Sequence, residues 1–239
     1  MRLDKYLADA GIGTRSQVKK LIKEGHIKVK GETVKSPECS ITEGDSVEYD
    51  GKHVLSGGLV YYMFNKPKGC VCANEDNLNQ TVFSYVPQSK KGDLFTIGRL
   101  DKDTTGLLII TNDGDLSHRM LSPRRHVDKV YEVFLDKPVA DSMIEDFSAG
   151  LDIGDEKPLK PATLEPDADD ARHCFVTISE GRYHQIKRMF LKYDLTVEEL
   201  HRIRMGRLEL NTDLKPGQYR TLTDPEMEYV KYIKTYADN

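Results

Sequence analysis

The sequence predicts an α+β protein of two domains, on three observations. The first fifty or so residues hold two amphipathic helical patterns followed by short alternating segments. Ser56-Gly57-Gly58 then has the composition of a flexible linker. Beyond it, apolar strand-like segments alternate with loops and two helical patterns. We therefore predict a small N-terminal domain with its linker at residues 1–57, and a larger domain with a central sheet at residues 58–239.

The N-terminal domain is predicted to begin with two helices. Residues 3–10 repeat apolar side chains at helical spacing. Thr14 and Gln17 form a capping box for the second helix, and Gly25 stands where that helix would end. Cations recur every four residues beside its apolar side, at Arg15, Lys19 and Lys23.

The remaining elements are predicted from apolar runs, alternation and turn residues. Lys30-Gly31 and Asp50-Gly51 are predicted turns. The predicted strands are residues 27–29, 47–49, 60–64, 69–73, 106–111, 127–135 and 174–178, and the predicted helices of the larger domain are residues 138–149 and 185–192.

Charge is unevenly distributed along the chain. The net charge is −4 overall. Residues 1–30, however, hold eight Lys and Arg against three Asp and Glu, a net charge of +5. Residues 136–170 hold eleven acids against three lysines, a net charge of −8. This distribution predicts a basic face for phosphates, with acidic residues elsewhere keeping the protein dissolved.

Composition and missing motifs exclude several classes of protein. The four cysteines are too few and too scattered for a disulfide framework, so reduced thiols are expected. The polar start and the lack of a long apolar run predict a soluble, cytoplasmic protein with no membrane partner. The sequence motifs of nucleotide hydrolases, dinucleotide enzymes, zinc proteases and serine hydrolases are missing, and we expect neither a cofactor nor a metal.

One loop holds the candidate for chemistry. Asp101 follows an arginine in a segment bounded by Gly98 and Gly106, directly before the apolar residues 107–110. A glycine-bounded loop entering a buried strand can hold a charged side chain rigidly at a cleft. A lone carboxylate among cations, without a cofactor motif, suits covalent or acid–base work on a sugar or a base.

Basic segments elsewhere in the larger domain predict a phosphate-lined cleft with aromatic side chains that can stack on bases. These segments are Asn65-Lys66-Pro67-Lys68-Gly69, Ser122-Pro123-Arg124-Arg125-His126 with Lys129-Val130-Tyr131, residues 180–189, and Leu200-His201-Arg202-Ile203-Arg204-Met205-Gly206.

These residues resemble two known families. Residues 2–7 and 25–31 resemble the S4 RNA-binding domain. In order, the segments of the larger domain resemble the pseudouridine synthases, and within them the RsuA family of ribosomal RNA enzymes. The resemblance rests on Gly-Arg-Leu-Asp with Thr-x-Gly at residues 98–106 and on residues 179–190. It implies the pseudouridine synthase fold, a mixed, mostly antiparallel sheet flanked by helices and loops.

The resemblance also implies roles for individual residues. Asp101 would be the essential carboxylate, either attacking the nucleotide covalently or assisting base departure through a glycal-like intermediate. Tyr131 would stack on the flipped uracil, and Lys187 would pair with Asp101 where many members have arginine. The residues predicted to bind RNA are Arg2, Lys5, Arg15, Lys19, Lys23, Arg99, Arg124, Arg125, Lys129, Arg182 and Arg188.

The implied function is conversion of one uridine of small-subunit (16S) ribosomal RNA to pseudouridine by a monomeric enzyme. The RNA could be free or part of an assembling small subunit. Two alternatives stay open: the same reaction on large-subunit (23S) ribosomal RNA, and a non-catalytic assembly factor that binds ribosomal RNA. An S4-containing methyltransferase would need a glycine-rich cofactor loop, which the sequence lacks.

Overall fold

A computed structural model describes residues 1–10, 12–42, 45–54, 59–86, 94–122 and 127–236. These residues form two compact units. The N-terminal unit comprises the described residues up to Val60 together with Leu94, and the larger unit comprises those from Tyr61 to Val86 and from Phe95 onward. The predicted linker, Ser56-Gly57-Gly58, lies outside the described residues.

The N-terminal unit packs two helices with a small antiparallel sheet. Its elements are α1 (Leu3–Asp9), α2 (Arg15–Glu24), β1 (Ile27–Val29), β2 (Glu32–Thr33), β3 (Val47–Tyr49) and β4 (Lys52–His53), with strand order β2-β1-β3-β4. The predicted capping box at Thr14 and Gln17 is confirmed, and so is the helix end at Gly25, which has a left-handed φ of 86°.

Helix α2 divides into a buried side and a basic side. Val18 and Ile22 pack into the core of the unit with Leu3 and Leu7 of α1. The four cations of α2 are exposed; Arg15, Lys19 and Lys23 form the row with a spacing of four residues, and Lys20 pairs with Glu24 at 3.8 Å. The apolar repeat therefore fixes which way the basic stripe faces, because burial of one side of a helix leaves the other in solvent.

The larger unit is built on a nine-stranded sheet. Its elements are β5 (Tyr61–Lys66), a 3-10 turn (Val82–Ser84), β6 (Phe95–Thr96), β7 (Thr105–Thr111), α3 (Gly114–Leu121), β8 (Lys129–Leu135), α4 (Ser142–Ala149), β9 (Thr163–Pro166), β10 (His173–Ile178), α5 (Gln185–Leu191), β11 (Val197–Met205), β12 (Leu208–Glu209), β13 (Tyr219–Thr221) and α6 (Asp224–Tyr236). The strand order is β13-β5-β7-β11-β8-β10-β9, with β6 on β7 and β12 on β11.

The sheet is mixed and mostly antiparallel, which confirms the predicted fold class. Among the described strands, β7 and β11 form the parallel pair and the other pairs are antiparallel. Helices α3 and α6 bury one face of β5 and β7. Their Leu116 and Ile233 pack with Leu107 and Ile109 of β7. The loop that carries Asp101 thus enters a strand anchored in the core.

Some predicted elements are wrong. Residues 69–73 form no strand and contribute one isolated bridge, between Val71 and Thr81, because Gly69 turns the chain with a φ of 94°. The helix predicted from residue 138 begins at Ser142. Helix α3 was not predicted, since no helix was expected between the strands predicted at residues 106–111 and 127–135. Asp113 in fact caps α3 by accepting a hydrogen bond from the Leu116 N–H at 3.1 Å.

None of the helices in the described part of the chain is long and apolar enough to cross a membrane.

Candidate active site

Asp101 lies in the loop between β6 and β7, at a cleft of about 90 Å³. Its side chain is 31% exposed, so the carboxylate is reachable yet partly shielded from water. The lining comes from the Asp101 loop, from β8, β10 and β11, from the turn that leads into α5, and from the first turn of α5. The lining residues are Arg99, Leu100, Asp101, Thr104, Tyr131, Ile178, Gly181, Arg182, His184, Gln185, Ile186, Lys187 and Leu200.

Two cationic or potentially cationic groups approach the Asp101 carboxylate. Lys187 Nζ lies 3.6 Å from Asp101 Oδ2, and His184 Nε2 lies 3.6 Å from Asp101 Oδ1. Both distances exceed those of hydrogen bonds, and among the described residues the Asp101 carboxylate accepts none. The Asp101 oxygens therefore lie near positively charged or polar groups and remain available to a substrate.

The closer ion-pair partner of Lys187 is Asp103, whose Oδ1 lies 2.6 Å from Lys187 Nζ. Burial alone would raise the pKa of the Asp103 carboxyl, but the hydrogen bond and charge of Lys187 outweigh burial and lower that pKa. The predicted pairing of Lys187 with Asp101 is thus shared with a second carboxylate two residues along the same loop. Lys187 bridges the loop to α5.

Lys66 anchors the Asp101 loop from the protein interior. The side chain is completely buried, and its ammonium donates to the backbone carbonyls of Pro67, Lys102 and Thr104 at 3.1, 3.3 and 2.8 Å. Burial lowers the pKa of Lys66, partly offset by Asp103, Asp101 and two nearby thiols. The basic segment 65–69 was interpreted as part of a phosphate-lined cleft, and for Lys66 that is wrong because its ammonium is internal. Lys68 is exposed.

The structure shows why residue 106, at the end of the Asp101 loop, is a glycine. Its φ is 101°, and a Cβ there would lie 2.3 Å from the backbone oxygen of Arg202 on β11. Strands β7 and β11 pair in parallel at this point, where Arg202 faces Gly106. A side chain at residue 106 would push apart the strands that carry the loop of Asp101 and the Leu200 edge of the cleft.

Tyr131, the residue predicted to stack on a base, lines the cleft. It lies on β8, is 7% exposed, and shares the lining with Ile178 of β10 and Leu200 of β11. These three side chains form an apolar part of the lining of the cleft that also contains Asp101. Such a surface suits the flat, weakly polar face of a nucleobase.

The cations predicted to bind RNA in the larger unit fall into different environments. Arg99 is exposed and lines the cleft. Arg182 and Arg188 both form ion pairs with Asp155, at 3.2 and 2.6 Å, and donate to backbone carbonyls of residues 153–158. Their guanidiniums thus brace the protein itself, which reduces what they can offer to phosphates.

Lys129 does not join the exposed cations. It is 7% exposed, and its ammonium donates to the carbonyl of Val127 at 2.9 Å. Burial lowers its pKa to about 8, and the nearby Arg202 contributes in the same direction. This environment argues against an RNA contact at Lys129. Arg124 and Arg125, also predicted to bind RNA, lie outside the described residues.

The N-terminal unit has its own basic groove, of about 500 Å³. It is lined by Met1, Arg2, Asp4, Lys5, Arg15 and Lys19. Arg2 and Lys19 both form ion pairs with Asp4, at 2.9 and 4.0 Å, and all four cations of the groove are exposed. Lys23 continues the row along α2 outside the groove. The structure thus brings together four of the five RNA-binding residues predicted in this unit.

Three residues contact Asp101 or support the strands and loop around it in ways that were not predicted. His184 approaches Asp101, Lys66 anchors its loop, and Arg202 is buried on β11, where its Nε donates to the Leu107 carbonyl at 2.8 Å. For Lys66, the adjacent proline and the preceding apolar residues 60–64 were the available signal for burial; Arg202 stands in a cationic segment, where the sequence gives no such signal. The described residues include no group of three or more His, Cys, Asp and Glu placed to hold a metal ion.

Comparison with known proteins finds matches for both units of the chain. The family model described as RNA pseudouridylate synthase matches residues 60–192, and the S4 domain model matches residues 1–47. Ribosomal small subunit pseudouridine synthase A of Vibrio vulnificus is 42% identical, over 96% of this chain and 99% of its own length. Its counterpart in Escherichia coli K12 is 42% identical, over 96% of this chain and 100% of its own length.

A solved structure agrees as well. A crystal structure described as that of a pseudouridylate synthase superimposes with a TM-score of 0.68 and 40% identity, over 96% of this chain and 99% of that one. The fold and the sequence motifs therefore point to the same family, and the resemblance found in the sequence is confirmed. The chain belongs to the RNA pseudouridylate synthase family of enzymes.

Proposed function

We propose that this enzyme converts a uridine of small-subunit (16S) ribosomal RNA to pseudouridine, with Asp101 as the essential carboxylate. The observation that supports the role of Asp101 is its position in the cleft. The carboxylate faces His184 and Lys187 at 3.6 Å and accepts no hydrogen bond from the described residues. The substrate follows from the small-subunit pseudouridine synthases to which the chain is similar over nearly its whole length.

The chemistry needs few protein groups. The bond between uracil N1 and ribose C1′ breaks, the uracil turns, and a bond forms between C5 and C1′. The proton at C5 leaves and N1 gains one, so the product is an isomer of the substrate. Asp101 either attacks the nucleotide or assists departure of the base through a glycal-like intermediate. Both routes use a carboxylate oxygen, and those of Asp101 accept no hydrogen bond from the described residues.

Tyr131 would hold the detached uracil during its turn. The target base must leave its stack to reach Asp101, and stacking on an aromatic ring offsets part of that cost, about 1–3 kcal/mol. Arg99, exposed at the cleft, would hold the backbone of the flipped nucleotide. Lys187 would hold the Asp101 loop against α5 through its ion pairs with Asp101 and Asp103.

The N-terminal unit would dock the enzyme on the RNA through the basic groove of Arg2, Lys5, Arg15 and Lys19, with Lys23 alongside. We also propose a boundary between the domains at residues 57/58, a monomeric enzyme and a cytoplasmic location, where ribosomal RNA is modified. Limited proteolysis, analytical ultracentrifugation and fractionation test these three proposals in turn.

The decisive test of the catalyst compares two carboxylates of one loop. Purified wild type, Asp101→Asn and Asp103→Asn are each incubated with a small-subunit ribosomal RNA transcript, and pseudouridine is measured by site-resolved mapping. We expect Asp101→Asn to form no product while binding RNA within a few-fold of wild type. Asp103→Asn should retain turnover, because it changes the partner of Lys187 and leaves the carboxylate of Asp101 in place.

The same assay separates the alternatives. Product in large-subunit RNA and none in small-subunit RNA would keep the chemistry and contradict the substrate. RNA binding without product in either RNA would favour the non-catalytic assembly factor. Turnover by Asp101→Asn would remove Asp101 from the reaction.

A further inference from the structure

Tyr183 is an exposed aromatic side chain at the rim of the cleft. Its two chain neighbours, Arg182 and His184, line the cleft, whereas its own side chain is 76% exposed. Single exposed apolar residues are common on protein surfaces and need no explanation by themselves. This one is distinguished by what lies against it.

The Tyr183 ring stacks on the imidazole of His184. The ring centroids are 3.8 Å apart and the planes meet at 17°. His184 Nε2 is in turn 3.6 Å from Asp101 Oδ1. A continuous series thus runs from the Asp101 carboxylate through one aromatic ring to a second, whose other face is open to solvent.

The turn that presents these rings is strained and braced. His184 has a φ of 49° and a ψ of 34°, a left-handed conformation uncommon for a residue other than glycine. The side chain of Gln185 accepts a hydrogen bond from the Arg182 N–H at 2.9 Å, and Asp155 holds the Arg182 guanidinium at 3.2 Å. Strain of this kind persists where the surroundings fix the backbone, and it concentrates at binding sites.

We propose that Tyr183 and His184 form a stacking platform for the nucleobase next to the flipped uridine. The proposal rests on the proposed function, because it takes a flipped uridine at Asp101 as its starting point. Flipping one nucleotide removes a stacking partner from each neighbouring base. An open ring face at the rim of the cleft can replace one of those partners, and stacking on aromatic side chains tolerates any base.

The platform also accounts for the position of Tyr183 between cleft residues. A ring pointing into the cleft would compete with Tyr131 for the uracil. A ring pointing outward, fixed by His184, meets the chain where it leaves the cleft. The cation at Arg99, exposed on the same cleft, is available to the phosphate between the two nucleotides.

The test pairs protein variants with altered RNA. Tyr183→Ala and Tyr183→Phe are assayed on a small-subunit RNA fragment and on fragments that carry an abasic nucleotide on either side of the target. Tyr232→Ala, an exposed tyrosine of α6 that does not line the cleft, is the matched control. We expect Tyr183→Ala to raise KM about 5- to 100-fold with kcat changed less than threefold. Tyr183→Phe should recover most of the loss.

The abasic fragments make the test specific. On the fragment lacking the platform base, wild type and Tyr183→Ala should have equal KM values. Equal KM values on the intact fragment, or a defect of Tyr183→Ala that persists on both abasic fragments, would overturn the proposal. Melting temperatures of the Tyr183 variants should stay close to that of wild type, since the Tyr183 side chain is 76% exposed.

A binding measurement keeps the platform separate from the reaction. 2-Aminopurine placed beside the target should lose fluorescence on binding wild type and not on binding Tyr183→Ala. If wild type forms no pseudouridine, the proposed function fails, and the fluorescence still decides whether the platform exists. Quenching that is unchanged in Tyr183→Ala at both flanking positions would refute the platform even when turnover is normal.

Discussion

We predict that Gly106→Ala destabilises the larger unit, and the structure sets the magnitude of the loss in unfolding free energy. In Gly106→Ala, the new Cβ would lie 2.3 Å from Arg202 O, so β7 and β11 must separate. The φ of 101° adds a backbone cost of about 1–2 kcal/mol for an L-residue. Overpacking at a buried contact adds about 1–3 kcal/mol. We expect a total loss of about 2–5 kcal/mol in the free energy of unfolding of the larger unit.

Gly69 supplies the matched control. It lies in the same unit with a φ of 94°, but a Cβ there would meet no atom within 4 Å. Gly69→Ala should therefore cost only the backbone part, about 1–2 kcal/mol. Urea unfolding followed by circular dichroism gives both values, and hydrogen exchange of residues 105–111 assigns the loss to β7. Equal destabilisation by the two variants would refute the close approach of β7 and β11 as the reason for Gly106.

Three further outcomes follow from charged groups. Asp113 accepts from Tyr61 and Lys234 at 2.6 and 2.7 Å, so Asp113→Asn should cost about 1–3 kcal/mol at pH 7. Burial alone would raise the pKa of Asp113, but these partners lower it overall, so the stability that Asp113 contributes is lost as the pH falls through that lowered pKa. The free energy of unfolding of Asp113→Asn should therefore fall less steeply than that of wild type at acid pH, and an unchanged acid dependence would contradict this. Lys129 has a pKa of about 8 in the folded protein against an ordinary 10.5, so the unfolded chain binds more protons between these two pH values. The free energy of unfolding of wild type should therefore rise by about 3 kcal/mol relative to Lys129→Met from pH 8 to 10.5, and parallel pH profiles of the two proteins would contradict this. Replacing three of the four exposed cations of α2 together should reduce the slope of log K against log salt by about 2–3, and an unaltered slope would separate α2 from the RNA phosphates. Those cations are Arg15, Lys19 and Lys23.

Local signals predicted the N-terminal unit well. The capping box at Thr14 and the left-handed Gly25 are properties of the residues themselves, so the sequence alone locates α2. The turn at Lys30-Gly31 and the strand Ile27–Val29 follow from the same kind of signal. The fold class and the family were also predicted, because the motif around Asp101 is specific and stands in the expected order.

Long-range contacts account for what the sequence did not predict. Whether a lysine faces phosphate or backbone carbonyls depends on residues distant in the chain. Lys66 is bound by the carbonyl of Thr104. Likewise, Arg182 and Arg188 look like free cations in the sequence, and it is Asp155, about thirty residues away, that engages both guanidiniums. His184 reaches Asp101 only because α5 packs beside the loop.

Asp113 illustrates an error of a different kind. Asn112-Asp113-Gly114 has the composition of a turn, and the chain does leave β7 there. The same residues also begin α3, because an aspartate can end a strand and cap a helix with one side chain. Composition does not distinguish these uses; the amphipathic residues that follow, Leu116 and Met120, were the missed signal.

The central claim is that the Asp101 carboxylate converts a small-subunit uridine to pseudouridine. The most direct measurement maps pseudouridines in ribosomal RNA from cells that lack this protein, complemented with wild type or with Asp101→Asn. We predict that one small-subunit site is lost and that wild type alone restores it. Restoration by Asp101→Asn, or a small-subunit map that does not change when the protein is removed, would contradict the account.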